Sequence, residues 1–109
     1  MTTITISRDK NGSYRQLTCT GHAGYANAGK DIVCASVSVL VINTINALEE
    51  LAGECLEVAA DEAEGFINCD FTAPLQERSV FLLDAMVYGL ENIQKEYGNK
   101  YLKVKFKEV

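Results

Sequence analysis

The sequence predicts an α+β domain in which two helices pack with a mostly antiparallel sheet in the layered order ββαββαβ. Two pairs of short segments, within residues 3–20 and 56–72, alternate apolar and polar residues around a turn signal, which is typical of β-hairpins. Two longer segments, residues 32–52 and 77–97, exceed the usual length of a strand. A last alternating segment covers residues 100–107. Hairpins, helices and a final strand in this order favour helices layered with one sheet.

The size and composition of the chain favour a single domain that spans residues 1–109. A chain of 109 residues buries roughly two thirds of the surface that its unfolded form exposes. With 48% hydrophobic and 23% charged residues, the composition lies far from that of disordered chains. No repeat, linker or low-complexity segment divides the sequence. We therefore expect one hydrophobic core.

The first hairpin is predicted by strand periodicity on both sides of a tight-turn dipeptide. Residues 3–7 alternate polar and apolar side chains, and Asn11-Gly12 precedes a second alternating segment at residues 14–20. Residues 21–30 then contain three glycines and show neither helix nor strand periodicity. This glycine-rich segment is expected to be a loop.

Residues 32–52 are nearly all apolar or small, and they predict a buried helix that is covered on most sides. Their β-branched residues would suit a strand, but about twenty residues is too long for one. Asp31 is a suitable N-cap because its side chain can accept a hydrogen bond from the first turn. Gly53 is a typical C-terminal stop signal.

The second half of the chain predicts another hairpin, a second helix and a last strand. The hairpin strands fall at residues 56–60 and 66–72, around a short acidic turn. Apolar residues recur at helical spacing over residues 77–97, before Gly98 ends the pattern. Lysines alternate with apolar residues over 100–107, which favours the solvent-facing side of a half-buried strand over a basic recognition patch.

The charge of the chain argues against a direct nucleic-acid partner. Its formal net charge of −5 is opposite to the clustered basic charge with which proteins bind phosphate backbones. The same charge would attract basic peptides by long-range steering. No run of about 18 consecutive apolar residues is present, and the first residues lack the basic region of a signal peptide. We therefore expect a cytoplasmic protein with no membrane partner.

His22 and Cys34 stand at the two ends of the glycine-rich segment and form the candidate catalytic pair. A lone histidine is more often a packed or solvated side chain than a catalyst, but catalytic groups concentrate in loops on a rigid scaffold. With Asp31 as the N-cap, Cys34 is the third residue of the helix, where the helix dipole and free N–H groups stabilise a thiolate. Those N–H groups could also hold an oxyanion. The pair therefore predicts a thiol nucleophile with a histidine base.

The other three cysteines, Cys19, Cys55 and Cys69, are interpreted as small buried side chains. A zinc site is disfavoured because Cys19 and His22 are an odd number of residues apart, which places them on opposite faces of a continuing strand. Thiol redox chemistry is disfavoured because the sequence places no resolving cysteine near Cys34. We expect neither a metal nor a cofactor.

Two polar residues beside the pair have two interpretations each. Asp31 either caps the helix or orients the imidazole of His22 as the third member of a triad, and the cap is favoured. Ser38 shares the helix face of Cys34, where its hydroxyl either lines a pocket or bonds back to a backbone carbonyl.

Two motifs at this separation resemble the signature of the bacterial ribosomal-processing cysteine proteases of the Prp family. The first is GHAGYA at residues 21–26, and the second is GKDIVCASVS at residues 29–38. The resemblance covers essentially the whole chain, including its length, the order of its elements and the lysine-alternating last strand. It implies that His22 and Cys34 form a catalytic dyad, with Asp31 as a matching polar position of the motif and Ser38 as another.

The resemblance also implies a substrate and an assembly. Members of the family remove an N-terminal extension from a protein of the large ribosomal subunit, cutting after a pair of aromatic residues and before a small one. They are homodimers with a mobile loop over the site. In this chain Gly21, Gly24, Tyr25 and Gly29 are the predicted loop and substrate-binding residues. The alternative is a non-catalytic ribosome-assembly or peptide-binding module whose loop holds a peptide without cleaving it.

Overall fold

The structure, a computed structural model, describes residues 1–24, 26–27, 31–61 and 63–109. Its helices and strands follow the predicted order, and most of their ends lie within two residues of the predicted ones. They are β1 (Thr2–Arg8), β2 (Tyr14–Thr20), α1 (Ile32–Glu50), β3 (Leu56–Asp61), β4 (Phe66–Phe71), α2 (Glu77–Tyr97) and β5 (Leu102–Glu108). The predicted α+β fold is confirmed.

The five strands form one mixed sheet in the spatial order β3-β4-β2-β1-β5. Both predicted hairpins pair antiparallel, with Ile6 opposite Leu17 in the first and Val58 opposite Cys69 in the second. β2 joins the hairpins by pairing antiparallel with β4, whereas β5 lies parallel to β1. Most neighbouring strands are therefore antiparallel, as predicted.

Both helices are crossover connections between strands that run in the same direction. α1 leads from β2 to β3, and α2 leads from β4 across the sheet to β5. The crossover from β2 to β3 moves towards one edge of the sheet, and the crossover from β4 to β5 moves towards the other edge. The starting strands, β2 and β4, also run in opposite directions. Right-handed crossovers of this kind place both helices on the same face of the sheet.

The core lies between the helices and that face. Strand residues that point towards the helices, and helix residues that point towards the sheet, are almost fully buried; they include Ile4, Ile6, Leu17, Cys69, Phe71, Val33, Val37, Val41, Leu48, Leu83, Met86 and Leu90. The strand members alternate along each strand, because successive side chains point to opposite faces of a sheet.

The opposite face of the sheet is polar and carries cross-strand hydrogen bonds. Thr18 Oγ1 donates to Asn68 Oδ1 over 3.1 Å, and Gln16 Nε2 donates to Asp70 Oδ1 over 2.8 Å. Lys103 lies on this face, opposite Thr3 of β1, and is exposed to solvent. The interpretation of the lysines as the wet side of a strand is therefore confirmed for Lys103, Lys105 and Lys107, whereas Lys100 lies in the turn before β5.

Helix α1 differs from its prediction in two respects. It ends at Glu50 rather than at residue 52. It is also not covered on most sides, because it contacts the sheet with one face and α2 with another; Val39 is 69% exposed and Ile42 is 41% exposed. By length and composition α1 could cross a membrane, but it buries a regular apolar stripe in the core, as the core helix of a globular domain does.

Candidate active site

Cys34 is held in the first turn of α1 by the predicted N-cap. The Asp31 carboxylate accepts a hydrogen bond from the backbone N–H of Cys34 over 2.9 Å. The Asp31 carbonyl also accepts the first bond of the helix, from Ala35. The capping contact satisfies one of the free N–H groups of the helix end and fixes the position of Cys34. The thiol therefore lies in the positive field at the start of the helix dipole.

His22 follows β2 and meets Cys34 across the glycine-rich segment. Its Nδ1 atom lies 3.7 Å from Cys34 Sγ, although the two residues are 12 apart in the chain. This distance is within the range of a hydrogen bond to sulfur. The imidazole is exposed and the thiol is half-buried, so a bound peptide could reach both groups.

The other nitrogen of the imidazole faces a backbone carbonyl. His22 Nε2 lies 3.3 Å from the oxygen of Ala63, in the turn between β3 and β4. A carbonyl oxygen can only accept, so in a neutral imidazole this contact favours the Nε2–H tautomer, whose Nδ1 lone pair faces the thiol. The sequence contains no signal for this partner, because every residue carries the same carbonyl group.

Gly21 anchors the histidine to the first strand. It has a φ of +85°, and a Cβ there would lie 2.6 Å from the carbonyl oxygen of Met1, so only glycine fits. The Gly21 carbonyl in turn accepts a hydrogen bond from the buried Thr2 hydroxyl over 3.4 Å. Gly24 is also in a positive-φ conformation. The predicted binding residues Tyr25 and Gly29 lie outside the described residues, as do residues 28 and 30 of the predicted mobile loop.

Cys34 and His22 open onto a cleft of about 410 Å³ between α1 and the β3–β4 hairpin. Its helical wall runs from Cys34 to Asn46, which corresponds to about 18 Å along the helix axis. Its lining is mostly apolar and comes from both sides, with Val37, Ile42 and Ile45 on the helix and Val58, Phe66 and Ile67 on the hairpin. Apolar clefts with a few polar groups at one end are typical ligand sites.

Ser38 lies in the cleft wall one helical turn from Cys34. A backbone bond of the kind considered for Ser38 is instead made by Ser36, whose hydroxyl donates to the Ile32 carbonyl over 2.6 Å. A role of Ser38 in binding stays a prediction, as does a role of Asp31 beyond its cap.

The remaining cysteines differ from one another more than the sequence predicted. Cys19 and Cys69 are buried, as predicted, whereas the prediction for Cys55 is wrong because it is exposed. Cys55 directly precedes β3, one of the two edge strands of the sheet, whose residues are mostly exposed.

Cys19 also lines the cleft that contains Cys34, so the two thiols are nearer than the sequence suggested. Burial, and to a lesser extent the proximity of Cys34, raises the pKa of the Cys19 thiol to about 11. Cys19 therefore stays a neutral thiol near pH 7. Within the described ranges, no three histidine, cysteine or acidic side chains form a group that could hold a metal ion.

The arrangement can perform nucleophilic chemistry on a carbonyl carbon. His22 Nδ1 is placed to accept the Cys34 proton, and the start of the helix favours the resulting thiolate. The apolar cleft can hold the side chains beside the attacked bond.

Comparisons with known proteins agree with this chemistry. A family model described as cysteine protease Prp matches residues 1–103. The ribosomal processing cysteine protease Prp of Bacillus subtilis (strain 168) is 31% identical over 101 residues, which cover 89% of this chain and 90% of that protein. The crystal structure of the Prp protease of S. aureus with a covalently linked product peptide is 26% identical, with a TM-score of 0.92 over 98% of this chain and 100% of that one. A second structure of the S. aureus protease, with a substrate peptide, is 25% identical, with a TM-score of 0.87 over the same shares.

The family match and these relatives make the protein a cysteine protease rather than a non-catalytic module. Within that class, the chain belongs to the Prp family.

Proposed function

We propose that this protease cleaves through a dyad of Cys34 and His22 and removes the N-terminal extension of a large-subunit ribosomal protein. The observation that carries the dyad is the 3.7 Å contact between Cys34 Sγ and His22 Nδ1, at the start of α1 and in the wall of the cleft. The names of the relatives, ribosomal processing proteases, support the class of substrate.

The proposed reaction begins with transfer of the Cys34 proton to His22 Nδ1. The thiolate sulfur then attacks the carbonyl carbon of the scissile peptide bond and forms a tetrahedral oxyanion. When this intermediate collapses, the C–N bond breaks, the imidazolium gives its proton to the leaving amine, and a thioester to Cys34 remains. Water, deprotonated by the same imidazole, hydrolyses the thioester and restores the thiol.

The start of α1 contributes to this reaction through its field. In a helix without a side-chain cap, the N–H groups of the first turn are free to donate to an oxyanion. Here the backbone N–H of Cys34 already donates to the Asp31 carboxylate, so it is not free for that role. The helix dipole still favours both negative species, the thiolate and the oxyanion, because both form within its first turn.

The cleft supports an aromatic preference beside the cleaved bond. Its wall is mostly apolar, and aromatic side chains gain most from burial in such a wall. The resemblance to the Prp family implies cleavage after a pair of aromatic residues and before a small one, and we propose the same preference here. The net charge of −5 supports a basic peptide, such as the end of a ribosomal protein, because opposite charges accelerate association.

A cytoplasmic homodimer is the proposed form of the enzyme. Ribosomal proteins are cytoplasmic substrates, and no nucleic-acid or membrane partner is invoked. Two aromatic side chains on one face of α2, Phe81 and Tyr88, are 73% and 71% exposed and would be covered by a second copy. Sedimentation analysis would show a mass near twice 11.9 kDa if the dimer forms, and a single-chain mass would contradict it.

One incubation tests the proposed reaction. The protein is mixed with a peptide that spans such an extension, and with a matched peptide whose aromatic pair is replaced by serines, and the products are identified by mass spectrometry. We expect one cut, after the aromatic pair, in the first peptide only, and none with Cys34→Ala. Equal cleavage of both peptides would contradict the aromatic preference, and no cleavage of either would contradict the substrate.

A further inference from the structure

The turn between β3 and β4 reaches across the sheet to the candidate base. β4 pairs with β2, whose end leads into His22, so the tip of the β3–β4 hairpin lies beside the imidazole. The Ala63 carbonyl in this turn is the hydrogen-bond partner of His22 Nε2, at 3.3 Å.

The carbonyl of Ala63 is held in place by the side chain of Asp61. Asp61 Oδ1 accepts from the backbone N–H of Ala63 over 3.1 Å and from that of Glu64 over 3.3 Å. An aspartate that bonds to the backbone two and three residues ahead closes a local turn and fixes its peptide planes. The orientation of the Ala63 carbonyl therefore depends on a side chain that does not itself bond to the histidine.

Gly65 brings the same turn into direct contact with the histidine segment. Its φ is +62°, and a Cβ there would lie 2.5 Å from the Gly21 carbonyl oxygen and 3.0 Å from His22 Cε1. Any residue with a Cβ would fit here only if the backbone of the turn and that of the histidine segment moved apart. The turn and the start of the loop are therefore packed backbone against backbone at the imidazole.

We propose that the Ala63 carbonyl orients the catalytic imidazole, and that Asp61 and Gly65 are positioning residues that hold it. This inference rests on the proposed role of His22 as the base. In a triad, a carboxylate holds the imidazole in one tautomer and one orientation. Here the Ala63 carbonyl has that role, because it selects the Nε2–H tautomer and directs the Nδ1 lone pair towards the thiol. The enzyme then has a third member supplied by the main chain of an edge hairpin.

The chain offers an unusually direct measurement, because it contains a single histidine. Long-range proton–nitrogen NMR correlations distinguish the two neutral tautomers of an imidazole. We would record them with Cys34→Ala as the background, at a pH of about 8.5, above the usual pKa of histidine. The parent background should show the Nε2–H tautomer alone. Adding Asp61→Ala should produce a mixture of both tautomers.

Peptide cleavage by otherwise unaltered enzyme gives the second measurement. Asp61→Ala should lower kcat by about tenfold or more with little change in KM, because it misplaces the base without altering the cleft. Asp61→Asn keeps an oxygen that accepts both N–H groups, so it should restore kcat and the single tautomer. Glu57→Ala removes a charge from an exposed position of the same hairpin and should change neither measurement.

Thermal unfolding separates positioning from loss of structure. Should Asp61→Ala be poorly folded, Gly65→Ala supplies a second variant that displaces the same turn, and it should give the same tautomer mixture with a lowered kcat. A single Nε2–H tautomer with parental kcat in a folded Asp61→Ala protein overturns the proposal. So does an Asp61→Asn protein as impaired as Asp61→Ala, because lost charge would then explain both.

An incorrect assignment of His22 as the base would give a different set of activities. If His22→Ala still cleaved the peptide at the parental rate, the histidine would not be the base, and the proposed mechanism and its positioning residues would both be wrong. If His22→Ala is inactive while Asp61→Ala is fully active with an unchanged tautomer, only the role of the turn is wrong.

Discussion

Two thiols line the same cleft, one in the first turn of α1 and the other in strand β2, and their surroundings differ. Cys34 has its backbone N–H capped by Asp31 and its sulfur 3.7 Å from a histidine nitrogen. Cys19 is buried in the sheet, opposite Ile4, and burial raises its pKa to about 11. A helix start concentrates positive field at a side chain, whereas a β-sheet has only a small net dipole. Position in the fold, rather than residue type, therefore separates a candidate nucleophile from a core residue.

The largest expected difference between the two thiols is in catalysis. Cys34→Ala and His22→Ala should each lower kcat by about a thousandfold or more, and the double variant should be no worse, because nucleophile and base act as a unit. Cys19→Ala should keep most of the activity. Peptide cleavage followed by mass spectrometry measures all four proteins. A Cys34→Ala protein within about tenfold of the parent, a difference near 1.4 kcal/mol, would rule out this nucleophile.

Alkylation compares the two thiols without any substrate. At pH 7.5 iodoacetamide should modify Cys34 at least about tenfold faster than Cys19, because only the thiolate reacts and burial also blocks access. Exposed Cys55, which has no capped helix start, is the internal standard between them. Peptide mapping by mass spectrometry gives the three rates. The comparison fails if Cys34 reacts no faster than Cys55.

The pH dependence of folding should report the buried thiols. Burial raises the pKa of Cys19 to about 11 and that of Cys69 to about 12, from an ordinary value of 9.0. Above pH 9 the unfolded chain loses these protons while the folded chain keeps them, so the free energy of unfolding falls as pH rises.

Between pH 9 and 10 the free energy of unfolding should fall by about 1 kcal/mol for each thiol. Urea unfolding at several pH values measures this decrease. Cys19→Ala should remove about half of the pH dependence that the two thiols give to the free energy of unfolding. An unfolding free energy that stays constant over this interval would contradict the buried-thiol assignment.

The smallest expected effect concerns the cap that distinguishes the Cys34 region. Asp31→Ala should lower the free energy of unfolding by about 1 kcal/mol, because the Cys34 N–H loses its acceptor. Asp31→Asn retains an acceptor oxygen and is the matched control, with a loss of only a fraction of that amount. Urea denaturation of the parent and the two variants measures these differences in the free energy of unfolding. Equal stability of Asp31→Ala and the parent would show that the cap contributes nothing to folding.

Corrections to the sequence-based picture occur where contacts join distant parts of the chain. The predicted burial of Cys55 was wrong because the sequence did not show that β3 would be an edge strand. The prediction that α1 is covered on most sides was wrong, because its composition does not reveal which side contacts α2 and which side borders the cleft. The neighbour of the imidazole, the Ala63 carbonyl, has no side-chain signal at all.

The sequence by itself determined the order of the elements, the cap at Asp31 and the place of Cys34 in the first turn of a helix. These features depend on neighbours within about four residues, whose periodicity and hydrogen bonding are local. Only the tertiary structure decided that His22 reaches Cys34, that Cys19 shares their cleft, and that the β3–β4 turn contacts the imidazole. Such contacts are set by which strands pair and how the helices cross the sheet, and no local pattern encodes the ångström-scale distances that result.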